Sequence, residues 1–360
     1  MNKYKASKLA WDFGTAYDLF VSLHVLHEPD KFGLRGSWAA GVRSRIPFEE
    51  RKTLEAAETS IRTPLHWIHN LPEPKDSAAA LWSLSQIAPE ERLPALALNT
   101  ETPADAAEIL VSTANRRSWD EKDLEAMRVA YQSKQAPPRT KALTTMLECW
   151  SRPEKFGEDY LNALRSYVQV FFSEEENRIC SALEDAQQRS QEMAESMALP
   201  DLLEALSQGV RFATLPELTE LILAPSYWST PLVFYRLIDE KRMLLLYGAR
   251  PSNVSLVPGE VIPDALLRAL KALADPTRLR ILHYLADSPQ TPAQLSRRLR
   301  LRPPTVVHHL SVLRLAGLVY LTLEAGDERR YAARVEMLSS TFEQLKGFID
   351  AGAPKPTPVD

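Results

Sequence analysis

The sequence predicts a mainly α protein with small β elements: a helical N-terminal domain carrying a short antiparallel sheet, then a C-terminal winged helix-turn-helix. Three observations predict it. Helical apolar periods, several opening on proline, recur through the first two hundred residues. Short apolar runs replace them after Gly209. Past Pro263 a series of capped helices is closed by a hairpin. The stretch "ARPSNVSLVPGEVIP" (249–263) has Pro, Ser, Asn and Gly but no helical period, and reads as a linker. The expected domains are 1–256, 257–352 and a flexible tail at 353–360.

In the first part, "TAYDLFVSLHVLH" sets Tyr17, Phe20, Val21 and His24 on one helical face. "PADAAEILVSTANRR" and "PEKFGEDYLNALRSYVQVFF" have similar periods. "SEEENRICSALEDAQQRSQEMAESM" reads as a long polar helix whose acidic first turn suits the helix dipole. "LTELILAP", "PLVFYRLI" and "RMLLLYGA" read as strands of the antiparallel sheet, the last two joined at residues 239–242.

The second part is punctuated more sharply. "PDALLRALKALA" is a helix with Leu266, Leu267, Leu270 and Leu273 as its apolar stripe. "DPTRLRILHYLADS" opens with Asp275 as N-cap and Pro276 at the first helical position, and Leu279, Leu282 and Leu285 follow at three-residue spacing. "TPAQLSRRLR" repeats the device at Thr291–Pro292. In "LRPPTVVHHLSVLRLAGLVYL", Pro304 disfavours the α region for Pro303, which puts the helix start at Pro304. Val306, Leu310 and Leu313 share one face and should be buried, leaving Thr305, His308, Ser311 and Val312 opposite and His309 at the margin. Gly317 suits the position after the helix. "LVYLTLEAGDERRYAAR" reads as a hairpin with Gly326–Asp327 at its tip. Three short helices and an arginine-bearing hairpin make a winged helix, whose third helix would enter a major groove. Arg302, Thr305, His308, His309, Ser311, Arg329 and Arg330 are the candidate DNA contacts.

Composition narrows the class. Of 360 residues, 45% are hydrophobic and 25% charged, as in a globular protein able to bury a core. No apolar run is long enough to span a bilayer, and "MNKYKASKLAWDFG" has no signal-peptide h-region, so no membrane partner and a cytoplasmic location are expected. Two cysteines, Cys149 and Cys180, exclude a disulfide framework or a CxxC site. From Val261 onward the net charge is +4, whereas the preceding 260 residues carry −8, so a polyanion partner belongs to the C-terminal part.

The segment from "ALADPTRLRIL" through "HHLSVLRLAGLV" to "RRYAAR" closely resembles the ArsR-type transcriptional regulators, over roughly residues 263–349. The resemblance implies a dimeric, DNA-binding, repressor-like module, with dimer contacts on the first helix and on "MLSSTFEQLKGFI". The matching residues are Leu266, Leu270, Leu338, Phe342, Leu345 and Ile349, the last four making an amphipathic stripe of their own. The chain departs from the family at Val307, where a small hydroxyl residue is common. Metal-sensing members carry cysteines in the helix matching residues 291–300, or histidines and acids in the last helix. Here both helices lack cysteine and histidine, so no metal and no cofactor are expected. The N-terminal part, notably "YDLFVSLHVLHEPDKFGLRGSWAAGVR", is similar to an uncharacterised domain found upstream of such modules, which brings no known ligand.

Two HxxH pairs, His24/His27 and His66/His69, could in principle assemble metal ligands, but they sit in apolar segments where packed histidines are the simpler reading. Adjacent His308 and His309 diverge by about 100° on a helix and do not form a metal pair. Trp11, Phe13, Tyr17, Trp38 and Trp67 serve either a core or a pocket. No GxSxG, HExxH, Walker or GxGxxG motif occurs, so no enzyme is expected. The predicted function is a transcriptional regulator binding double-stranded DNA as a homodimer, with the N-terminal domain sensing a small-molecule effector of unspecified identity. The competing reading is an adaptor or an unrecognised enzyme that uses the winged helix only to dimerise.

Overall fold

The computed structural model describes residues 8–132, 137–212, 218–257, 259–323 and 329–352. In chain order the elements begin with β1 (Lys8–Trp11), α1 (Ala16–His27), α2 (Gly36–Ser44), α3 (Phe48–Ala57), α4 (Leu65–His69), α5 (Ser77–Gln86), α6 (Pro89–Ala97), α7 (Ala104–Arg116), α8 (Glu121–Tyr131), α9 (Thr140–Trp150) and α10 (Pro153–Tyr167). A π-helical turn over Val168–Phe172 leads into α11 (Ser173–Ser196), then α12 (Leu199–Leu206), β2 (Val210–Phe212), β3 (Glu220–Ser226), β4 (Phe234–Leu237) and β5 (Arg242–Gly248). The last part holds α13 (Asp264–Leu273), α14 (Pro276–Asp287), α15 (Pro292–Leu299), α16 (Pro303–Leu315), β6 (Val319–Leu323), β7 (Arg329–Ala333) and α17 (Glu336–Gly352). The expected wing tip, Gly326–Asp327, and the expected tail at 353–360 lie outside the described residues. No helix among them is long and apolar enough to cross a membrane.

The described residues pack as two compact units. One takes those of 5–188 and 216–249, the other those of 189–215 and 250–360. The second unit thus includes residues before the boundary expected near 257.

In the larger unit α1 is buried on nearly every side, not along a single stripe, as a helix at the centre of a domain must be. Its first turn carries Asp18, fully buried, whose carboxylate accepts from Ser226 Oγ (2.8 Å), Tyr227 N (3.0 Å) and Trp228 N (2.8 Å). These bonds fasten α1 to the end of β3. The sheet order is β1-β3-β5-β4. The β4–β5 hairpin is antiparallel as expected, and its turn is capped by Asp239, which accepts from the amides of Lys241 and Arg242. The antiparallel expectation fails for β3, which runs parallel to β5, and β1 joins β3 in parallel as well. The physical reason stands in "ELILAPS". From Leu221 to Ser226 every residue is buried, so the strand is covered on both faces and shows no alternation to announce its direction.

The smaller unit is built on its caps. Asp275 accepts from Arg278 N, and Thr291 and Gln294 form a reciprocal capping box. Helix α16 begins at Pro303, one residue earlier than expected. Both prolines fit its first turn because the first amides to bond inside the helix are those of Thr305 and Val306, which donate to Arg302 O at 3.0 and 3.2 Å. Gly317, at φ +71°, ends it: the Leu318 amide reaches Leu313 O and the Gly317 amide reaches Arg314 O, both at 3.0 Å. Ile281, Leu282, Leu285, Val306, Leu310 and Leu313 form the core, whereas Leu279, expected in that stripe, is half exposed.

Candidate nucleic-acid interface

The turn between α15 and α16 aims the third helix. Arg300 closes α15 in the left-handed region (φ +56°), the Leu301 amide returns to Ser296 O at 3.2 Å, and Ser296 Oγ donates to Leu301 O at 2.5 Å. With its turn tied at both ends, α16 leaves one face to the core and one to solvent. Val306, Leu310 and Leu313 are wholly buried, while Thr305, Val307, His308 and Ser311 are exposed. Arg302 stands exposed at the N-cap, where the positive end of the helix dipole favours an anion.

The two histidines differ. His308 is exposed, but the His309 side chain is only 14% exposed and lies 4.0 Å from the Asp275 cap of α14. Burial holds His309 below the usual histidine pKa against the pull of Asp275. The Ser311 hydroxyl donates to Val307 O within its own helix. In the wing, β6 and β7 pair antiparallel from Val319↔Ala333 to Leu323↔Arg329, with Arg329 exposed and Arg330 half-buried.

Two features escaped the sequence reading. Arg297, Arg298 and Arg300 are exposed at the end of α15 beside Arg302, a cluster visible in "SRRLRLR" once the turn is known. The other is β2, which joins the wing sheet in parallel, Val210↔Leu321 to Phe212↔Leu323, giving the order β2-β6-β7. Arg314, 6% exposed, secures the preceding turn by donating to Ser207 O (2.8 Å) and Gln208 O (3.2 Å), and Arg334 adds a bond to Gln208 O (2.9 Å). Burial, with Arg334 nearby, pushes the Arg314 pKa down to about 10, still well above neutrality. The Arg211 guanidinium sits 3.7 Å from the Tyr320 ring centroid, clasping β2 to β6.

Residues 275–320 match the family described as "Bacterial regulatory protein, arsR family". Over 86 residues the chain is 44% identical to the HTH-type transcriptional regulator CmtR of Mycobacterium tuberculosis, covering 24% of this chain and 72% of that one. The chain belongs to the ArsR family. It is also 26% identical over 87 residues to the transcriptional repressor SdpR of Bacillus subtilis, covering 23% of this chain and 90% of that protein. Among solved structures, the cadmium metal-sensor CMTR from Mycobacterium tuberculosis shares 38% identity over 26% of this chain and 96% of that one, with a TM-score of 0.19. The ArsR family transcriptional regulator RHA00566 shares 26% identity over 25% and 91%, with a TM-score of 0.22. The ArsR-family winged helix is accordingly the DNA-binding part of a transcriptional regulator.

Of the residues assigned to the ArsR dimer face, Phe342 and Ile349 are 58% and 60% exposed on α17. Leu338, Leu345 and Leu270 are partly buried, and Leu266 is buried within the chain.

In the larger unit each HxxH histidine has its own partner. His24 Nδ1 bonds Glu58 (2.8 Å), His27 Nδ1 bonds Leu23 O (2.8 Å), His66 Nε2 bonds Ala95 O (3.1 Å) and His69 Nδ1 bonds Asp12 (2.6 Å). Among the described residues no group of three or more His, Cys, Asp or Glu side chains could hold a metal ion. Trp11, Phe13, Trp38 and Trp67 are half-buried, and Tyr17 is wholly buried with its hydroxyl donating to Asp12 at 2.7 Å.

Proposed function

We propose that this ArsR-family regulator binds an inverted-repeat operator as a homodimer and represses from it, with the larger unit sensing the signal. The observation that carries the reading is the solvent face of α16, where Thr305, Val307 and His308 stand exposed beside Arg302. Thr305 and His308 offer hydrogen bonds to base edges, and Val307 offers an apolar contact to a thymine methyl. Arg302 and the wing residues Arg329 and Arg330 meet phosphate, joined by Arg297, Arg298 and Arg300. His309 belongs to the margin of the contact, since most of it is packed on α14. Ser311 adds only its hydroxyl oxygen, its proton being engaged with Val307 O.

Dimerisation falls to α17, whose outer stripe of Phe342 and Ile349 is exposed, backed by Leu338, Leu345 and the α13 residues Leu266 and Leu270. The repressor assignment is drawn from SdpR. The cadmium response named for one relative is not carried over, because Cys149 and Cys180 both precede the matched region. The domain roles follow: residues to about 256 serve as sensor and 257–352 as DNA reader, with β2 drawn into the reader from the sensor side of the linker.

Selection of binding sites from a random duplex library tests the reading. Thr305→Ala and His308→Ala are each expected to change the selected consensus at one position per half-site, a loss of about 1–3 kcal/mol of discrimination there. An identical consensus for both variants and the parent contradicts the groove-facing assignment of α16.

A further inference from the structure

We infer that the larger unit carries a binding site for a small polyanion, a molecule bearing two or more negative charges on phosphate or carboxylate groups. The site is a partly open cavity of about 1000 Å³ lined by the end of α1 and the turn after it, by α2, by α3 and the residues that follow it, and by residues 137–142 at the start of α9. That volume accommodates a metabolite-sized ligand. The lining is cationic within a part of the chain that is acidic overall: Lys31, Arg43, Arg51, Arg62 and Arg139 face it, against three glutamates.

The glutamates do not neutralise this set. Five cations face three carboxylates, of which Glu58 bonds His24 at 2.8 Å and Glu28 pairs with Lys31 at 2.9 Å, so positive charge is in excess. Arg43 is held in place by donating to Leu26 O, and Arg51 lies over the Phe48 ring. Among the described residues, the side chains of Arg62 and Arg139 make neither a hydrogen bond nor an ion pair. Guanidinium groups gathered in a concavity repel one another, and a bound oxyanion relieves that repulsion while accepting their forked N–H donors in pairs. Protein groups that stabilised the fold alone would be expected to pair with carboxylates; here the two arginines come from segments far apart in sequence and line one cavity.

This inference deepens the sensor reading and rests on it only for the consequence at the operator; binding itself is measured without DNA. Isothermal titration of the full chain with inorganic pyrophosphate and, separately, with citrate, at fixed ionic strength, is the test. Saturable binding of either probe is expected, the stronger one indicating whether phosphate or carboxylate is preferred. The double variant Arg62→Gln/Arg139→Gln, altered only at cavity-lining side chains without protein partners, is expected to weaken that binding at least about tenfold. Arg128→Gln, on the same unit but outside the cavity, is expected to leave it unchanged. Absence of saturable binding for both probes overturns the inference, as does equal affinity in the double variant. If binding holds while DNA affinity ignores the probe, the site stands and the sensor role falls.

Discussion

Replacing Lys75 with methionine is expected to destabilise the larger unit by about 3–5 kcal/mol. Lys75 Nζ donates to both oxygens of Asp12, at 2.6 and 2.7 Å, and the two residues are 8% and 7% exposed. Asp12 also accepts from Tyr17 (2.7 Å), His69 (2.6 Å) and the Phe13 amide (2.8 Å), so one carboxylate anchors the end of β1 to α1, α4 and the segment before α5. Methionine fills the space of the lysine stem and leaves that charge buried without its countercharge. The backbone at this point is closely packed, since a Cβ on Gly14 would lie 2.5 Å from Lys75 O. All seven tryptophans fall in the larger unit, so urea unfolding followed by tryptophan fluorescence reads it selectively.

The same cluster sets a pH dependence. Burial raises the Asp12 pKa, but the bonds from His69, Lys75 and Tyr17 outweigh it and hold the group at about 2, below its ordinary 3.8. A carboxyl with a depressed folded pKa contributes stability that is present above its unfolded value and lost as pH falls through the folded one. About 2 kcal/mol should therefore disappear between pH 4 and pH 2. In Lys75→Met much of that loss has already occurred, and its acid unfolding is expected to begin at higher pH. Parent-like stability across this range would contradict the role given to the cluster.

The second large effect belongs to Arg314→Ala, which should cost the smaller unit about 2–3 kcal/mol. Ser207 O would lose its buried donor, while Gln208 O would keep Arg334. The turn before β2 holds Gln208 at φ +54°, a conformation non-glycine residues seldom adopt, and Arg314 shares with Arg334 the task of securing it. Hydrogen–deuterium exchange should show faster exchange at residues 209–212 and at the Leu321 amide, which bonds Gly209 O. Unchanged protection there would show that β2 is held by its pairing with β6 and by Arg211 on Tyr320 alone.

Much of the winged helix was legible because its determinants are local. Asp275–Pro276, Thr291–Pro292 and Gly317 each specify a helix end within a few residues, and the apolar face of α16 follows from spacing alone. What was not legible depends on distant partners. Strand β2 is three residues long and pairs with a segment more than a hundred residues away, so no period announces it. Arg314 reads as a surface cation at the end of α16, and only the carbonyls of Ser207 and Gln208, in the turn after α12, explain its burial. The parallel pairing of β3 with β5 was hidden because a strand buried on both faces has no polar side. Among candidate contacts the exposed positions at 302, 305 and 308 followed from helix geometry, whereas the packing of His309 on Asp275 required the position of α14.

The most direct test of the central claim is the salt dependence of DNA affinity, measured by fluorescence anisotropy on one selected duplex for the parent and for Arg302→Ala. Each phosphate contact contributes about 0.9 to the slope of log K against log salt, and the proposed homodimer would lose every substituted arginine twice. The account predicts that the slope shallows by about 1.8 in the variant. An unchanged slope would contradict phosphate contact at Arg302, and a parent without salt-sensitive affinity would leave the winged helix as a protein-interaction platform.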